Sequence, residues 1–154
     1  MSKAIWGLEK FDLFKGINAH EIQEITKIIN KTPFQKGDII TDQSSKSRDV
    51  FVLLEGRVDI VSLNNVPLYR ISLGETFGEL ALVPNLKRTA IAVAREDSWV
   101  LIMNINHLES FGLENPAVFN KVNTNIINSL GTKLARANKL IELLKAELTK
   151  NLRK

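Results

Sequence analysis

The sequence predicts a mainly β domain with helices at both ends, and three observations predict it. Between Thr32 and Met103 the apolar residues fall in short β-branched runs separated by turn dipeptides. On either side of that stretch the apolar spacing is helical, and the second helical pattern is long. No repeat or low-complexity linker breaks the order. At 154 residues the chain has the length of one domain with a real core.

At the start, Phe11-Asp-Leu-Phe-Lys-Gly-Ile reads as a short helix that Gly16 ends. Asn18 then stands as the N-cap of a helix over residues 19–30, with Glu21 at its third helical position, a capping-box arrangement. Ile22, Ile25, Ile28 and Ile29 recur at helical spacing and give it one buried face. The strand runs follow: Asp38-Ile-Ile-Thr, Asp49-Val-Phe-Val-Leu-Leu, Arg57-Val-Asp-Ile-Val, Leu68-Tyr-Arg-Ile-Ser-Leu, Thr89-Ala-Ile-Ala-Val-Ala and Trp99-Val-Leu-Ile-Met. Lys36-Gly37, Glu55-Gly56, Asn64-Asn65 and Glu96-Asp97 supply the turns. Six or more short strands at this spacing make a sandwich, a jelly roll or a barrel.

Asn115-Pro116 is a helix start, and the pattern stays helical to the end. Ile127, Leu130, Leu134, Ala137, Ile141, Leu144 and Leu148 alternate steps of three and four, a heptad seam. Gly131 lies inside it at a cost of about 0.8–1 kcal/mol relative to Ala. The far end of the seam reaches beyond what one small barrel covers. A second copy of the same helix is the expected partner, giving a parallel homodimer. The division expected is residues 1–115 for the β unit with its N-terminal helices, and 116–154 for the last helix as lid and dimerisation element.

Composition narrows the chemistry. There is no cysteine, so disulfides and thiolate sites are excluded. His20 and His107 stand far apart with no acidic or His partner at ligand spacing, and no metal site is expected. The first residues lack the apolar run and cleavage site of a signal peptide, and no run approaches the ~20 apolar residues of a membrane span. A cytoplasmic protein without membrane contact is expected. The net charge is +4; residues 133–154 hold seven Lys or Arg against two Glu. Those charges are spread round a helix whose other face is apolar, which suits a solvated face rather than a polyanion site.

Residues 73–90 carry the chemistry: Leu-Gly-Glu-Thr-Phe-Gly-Glu-Leu-Ala-Leu-Val-Pro-Asn-Leu-Lys-Arg-Thr-Ala. A tight turn at Gly74 leads to a helical turn that Gly78 opens and Pro84 closes. The amides of Gly78, Glu79, Leu80 and Ala81 would face an anion there, and Arg88 would add a clamp for phosphate. Glu79 is unfavourable beside an anion unless it accepts hydrogen bonds from a hydroxyl. Together these groups describe a sugar phosphate site. A plain turn with a surface Glu–Arg pair fits the spacing equally well.

The stretch resembles the phosphate-binding cassette of cyclic-nucleotide-binding domains: Phe-Gly-Glu-Leu-Ala-Leu, then Arg-Thr-Ala, with Arg88 nine positions after Glu79. Leu13-Phe14-Lys15-Gly16-Ile17 resembles the family's opening helix. Phe34-Gln-Lys-Gly37-Asp-Ile-Ile and Val50-Phe-Val-Leu-Leu-Glu-Gly56-Arg-Val resemble its early strands. The likeness extends to the regulatory subunits of the cAMP-dependent protein kinase and to catabolite-activator-type regulators. It implies a β jelly-roll barrel (double-stranded β-helix) with short N-terminal helices and a long C-terminal helix.

The resemblance also implies the ligand, cAMP or cGMP, and its contacts. Glu79 would bind the ribose 2′-hydroxyl and Arg88 the cyclic phosphate. Gly78, Leu80 and Ala81 would supply backbone donors beside Phe77, with Thr89 and Ala90 flanking phosphate and base. Ile60 and Ile71 would form apolar walls for the purine. One departure is Asp42-Gln43, where the family commonly has an acidic-Gly pair. The expected role is a sensor that signals through its last helix to a partner protein. The alternative is the sensor part of a catabolite-activator-type regulator without its DNA-binding domain. No helix-turn-helix segment is read before Lys154, so specific nucleic-acid binding is not expected. The cassette offers no metal constellation and no nucleophile–base pair, so no enzyme is expected.

Overall fold

The computed structural model describes residues 7–154. The first six, on which the absence of a leader was partly read, lie outside the described residues. Two short 3₁₀ turns, Leu8–Lys10 and Asp12–Phe14, open the chain. They bury Leu8, Leu13 and Phe14 where one short helix was expected. Helix α1 spans Ala19–Ile25, and both halves of its capping box form: Glu21 N–H donates to Asn18 Oδ1, and Asn18 N–H donates to the Glu21 carboxylate, each at 2.9 Å.

The helix expected over residues 19–30 stops early. A 3₁₀ turn, Thr26–Ile28, follows α1, and Ile29 already belongs to β1 (Ile29–Phe34). The reason is tertiary: Ile29 pairs with Met103, and the β-branched side chain fits the pleated surface as well as it fitted the helical repeat. The remaining strands are β2 (Ile39–Thr41), β3 (Asp49–Glu55), β4 (Val58–Ser62), β5 (Pro67–Ile71), β6 (Thr76–Phe77), β7 (Ala90–Ala94) and β8 (Ser98–Asn104). They form two four-stranded antiparallel sheets, β1-β8-β3-β6 and β2-β7-β4-β5. With the helices, this is the mainly β, jelly-roll-like architecture that the sequence predicted.

Strand periodicity decides what each sheet touches. In β3, Phe51 and Leu53 point between the sheets, where they meet Val58, Ile60, Ile71, Phe77, Ala92 and Val100. Val50 and Val52 point the other way, into a second core with Leu101, Met103 and the helices. A strand covered on both faces reads as a continuous apolar run, which is what Val50–Leu54 shows.

Helix α2 (Ile105–Glu114) follows β8 directly, capped by the Asn104 side chain, which accepts from the N–H groups of Asn106 and His107. Helix α3 runs from Pro116 to Leu152 with Pro at its first turn. Gly112 lets α2 lie close on α3: a Cβ there would come within 2.7 Å of the Phe119 ring. Val118, Val122 and Ile126 join the helix-side core. Beyond Lys133 every residue of α3 is exposed.

Candidate functional site

The cassette is built from a strand end and one turn. At the end of β6, Phe77 stacks on Phe51 with ring centroids 5.1 Å apart. Gly78 then takes φ 77°, a left-handed conformation that opens the 3₁₀ turn Glu79–Leu82. A Cβ at Gly78 would stand 2.8 Å from the Phe51 ring and 3.0 Å from Arg88 Nη1, so glycine serves both the turn and the packing around it. Within the turn, Ala81 N–H donates to the Gly78 carbonyl at 3.1 Å. The Ala81 side chain packs in the helix-side core. Leu80 is half-buried.

Arg88 is 9% exposed, and carbonyls gather round it. Its Nη2 donates to the carbonyls of Asp49 (2.8 Å) and Ser47 (3.3 Å), and its Nη1 to that of Gly78 (3.4 Å). The guanidinium lies 5.7 Å from the Phe51 ring centroid. Burial lowers its pKa from the ordinary arginine value, with the Asp49 charge opposing.

A second arginine, missed in the sequence, supports the turn from behind. Arg48 donates to the carbonyls of Ala81 (2.9 Å) and Leu82 (3.1 Å), and also reaches Asn106 and Glu109 on α2. It lies at the end of the polar loop that departs from the family pattern. There Asp42 accepts from Ser44 N–H at 2.8 Å, an Asx turn that the charged stretch did not advertise.

Glu79 is 4% exposed, and a buried carboxylate needs a partner. The partner comes from α3. Lys133 Nζ donates to Glu79 Oε1 and to the Thr76 carbonyl, and Ser129 Oγ donates to the same Glu79 oxygen at 3.3 Å. Lys133 also stands 3.9 Å from Glu75 Oε1, which Arg136 approaches to 3.6 Å. Tyr69 on β5 completes the group, its ring centroid 5.8 Å from Lys133 Nζ. Burial first, then the charges of Glu79 and Glu75, push the phenol up to about 12. Nothing in the β5 pattern singled out Tyr69 beyond its being the only tyrosine of the chain.

The other candidates fall into place around this turn. Ile60 and Ile71 are buried between the sheets, with Ala90 and Tyr69 packed against the same cluster. Thr89 is exposed, one residue before β7. A separate cleft of about 580 Å³ lies between the N-terminal turns, the β5–β6 turn and α3. Its lining includes Thr76 and Lys133 but neither Glu79 nor Arg88, so the cassette lies behind Lys133 rather than in the cleft. Among the described residues no group of acidic or His side chains could hold a metal ion, and no helix is long and apolar enough to cross a membrane.

Two antiparallel sheets with a short Gly-led turn and a long C-terminal helix define the class, a jelly-roll-like β domain. The chain belongs to the cyclic nucleotide-binding domain family, whose family model matches residues 31–115. It is 29% identical over 100 residues to cGMP-dependent protein kinase 2 of Rattus norvegicus, covering 61% of this chain and 12% of the kinase. It is 32% identical over 91 residues to the cAMP-dependent protein kinase regulatory subunit of Candida albicans, covering 58% of this chain and 20% of that one. The chain therefore spans a small part of these relatives' length. Among solved structures, the catabolite activator protein of Thermus thermophilus matches with a TM-score of 0.71 at 24% identity, over 87% of this chain and 63% of that one.

Proposed function

We propose that this chain is a cyclic-nucleotide sensor that binds cAMP or cGMP at the 77–90 cassette and signals to a partner protein through α3. One observation carries the reading: Glu79 and Arg88, both less than a tenth exposed, are brought together beside one Gly-led turn, inside the segment that the family model covers. In this reading Glu79 accepts from the ribose 2′-hydroxyl, and Arg88 meets the cyclic phosphate with support from Phe51. Gly78, Glu79 and Leu80 offer the amides that a 3₁₀ turn leaves free at its start. Phe77 and Ala90 line the pocket, Ile60, Ile71 and Tyr69 wall the base, and Thr89 stands at its edge.

The sensor works as a cytoplasmic parallel homodimer joined along α3 and catalyses nothing itself. Ile127, Leu134, Ile141, Leu144 and Leu148 are each at least half exposed on one chain, an apolar stripe that isolated soluble chains avoid. Its downstream partner is a protein rather than a nucleic acid.

The test is a thermal-shift panel over the four 3′,5′-cyclic nucleotides, followed by calorimetry. At about 1,000 times its dissociation constant a ligand adds ~4 kcal/mol, or roughly 8–16 °C for a chain of this size. Arg88→Leu abolishes binding while strand content stays intact. Both cAMP and cGMP bind, and Thr89→Ala weakens cGMP more, because Thr89 Oγ accepts from the guanine 2-amino group. No shift with any of the four nucleotides rejects the reading.

A further inference from the structure

Glu79 is asked to do two things at once. Under the reading above, and resting on it, its carboxylate accepts from the ribose 2′-hydroxyl. In the structure that carboxylate is already engaged by α3. Ser129, Lys133 and Arg136 lie at steps of four and three along one stripe of the helix, and all three reach acidic groups of the 75–79 segment. The Lys133 side chain is 15% exposed, and its ammonium is shared among the Thr76 carbonyl, Glu79 Oε1 and the more distant Glu75. Both donors to Glu79, Lys133 and Ser129, converge on one oxygen. An ammonium and a hydroxyl seated on Oε1 occupy one of the two acceptor oxygens that a ribose hydroxyl would use, and the ion pair holds the carboxylate toward α3.

We infer that Lys133 is an internal competitor of the ligand: it pins α3 onto the cassette through Glu79, and a ribonucleotide binds only by displacing it. The coupling runs opposite to that of a lid. A lid residue gains contacts when ligand arrives, whereas Lys133 loses its contact to Glu79, so ligand frees the helix. Affinity is set by the difference between the new hydroxyl–carboxylate bond and the ion pair given up. The competition also bears on specificity. A 2′-deoxy ligand has no use for Glu79 and leaves the ion pair in place.

Calorimetry on the wild type, Lys133→Met and Lys133→Gln, each with cAMP and with 2′-deoxy-cAMP, tests this. Lys139→Met is the control, since it removes the same charge from an exposed site paired with Glu142. Both Lys133 variants should bind cAMP roughly tenfold tighter or better, the scale of a hydrogen bond to a charged group. Affinity for the 2′-deoxy form should stay within about twofold. Weaker cAMP binding in both variants means Lys133 closes over the ligand, and equal gains for the two ligands mean it does not act through Glu79. Either result overturns the inference. A second arm needs no ligand: amide exchange in nucleotide-free protein should quicken over residues 129–137 in Lys133→Met but not in Lys139→Met. Unchanged exchange overturns the pin whatever the ligand data show. If the wild type and both Lys133 variants bind no cyclic nucleotide, the functional reading falls and the competition with it, while faster exchange would still establish the pin.

Discussion

Helix α3 is one unbroken helix, yet its two halves live in different environments. The first half buries Val118, Val122 and Ile126 beside the N-terminal turns and the outer face of β3 and β8. The second half, past Lys133, buries nothing on this chain, though Leu134, Leu140, Ile141, Leu143, Leu144 and Leu148 are all at least half exposed. The hydrophobicity of the two halves is similar; what differs is what lies opposite. The lesson is that an apolar stripe fixes which face will be covered and leaves open by what. Between the halves sits the polar stripe Ser129–Lys133–Arg136 on Glu75 and Glu79, so the helix meets the cassette through charge and leaves it through a seam.

Four measurements would break or sharpen this contrast. The largest effect belongs to the first half. Val122 is fully buried, and Val122→Asp should cost at least ~3 kcal/mol or prevent folding, because an unpaired carboxylate enters the core. Measured well below ~1 μM protein, where the proposed dimer is dissociated in wild type and variant alike, Ile141→Asp with Leu144→Asp should leave the urea midpoint of the β domain where it was. Comparable losses from this variant and from Val122→Asp would erase the distinction. The same double variant should split the proposed dimer. Light scattering at about 50 μM should show two copies for the wild type and one for the variant, given a dissociation constant near ~1 μM. A monomeric wild type, with and without nucleotide, removes the dimer.

A smaller effect is expected at the junction. A Cβ at Gly131 would meet nothing within 4 Å, so Gly131→Ala should stiffen the helix by about 0.5–1 kcal/mol without a clash. A loss of stability would mean that the helix bends there. The smallest effect is spectroscopic. Tyr69, on β5 beside Lys133, should ionise at about 12 when folded and near 10, the ordinary phenol value, in denaturant. Since the folded phenol holds its proton longer, its contribution to stability is complete below about pH 10 and fades as pH rises through the folded value near 12. A folded midpoint near 10 would mean that this end of the sheet is wet.

Much of the fold was legible in the sequence, for reasons visible in particular residues. The run Val50–Leu54 announced a strand, which the structure buries on both faces, and Asn18 with Glu21 announced a helix start that the structure forms in full. The end of that helix was not legible, because Ile28 and Ile29 satisfy helical and strand spacing alike and the pairing of Ile29 with Met103 decides between them. Helix α2 was not foreseen: it leaves β8 with no Gly or Pro between them, and its only signal is the Asn104 cap. At the site, glycine spacing and the Glu79–Arg88 interval pointed to the cassette, and Lys133 stood off the seam as a solvated cation or a contact of the helix as lid. Arg48 and Tyr69 came from distant strands and loops. Contacts made across 33 or more positions, such as Arg48 to Ala81, leave no local pattern to read.

The ties at the near end of α3 have a mechanical consequence. Asn125 Nδ2 donates to the carbonyls of Leu13 and Lys15, both at 2.9 Å, and Lys121 Nζ reaches both oxygens of Glu21 at 3.0 Å. These bonds rivet the helix to the opening turns and to the cap of α1, 100 to 112 positions upstream in the chain. A tilt of the helix would therefore pull on the N-terminal segment through these bonds. A fluorescent probe near residue 15 would register a tilt of α3 as directly as one near residue 150, and a protein docked against either segment would feel the same movement.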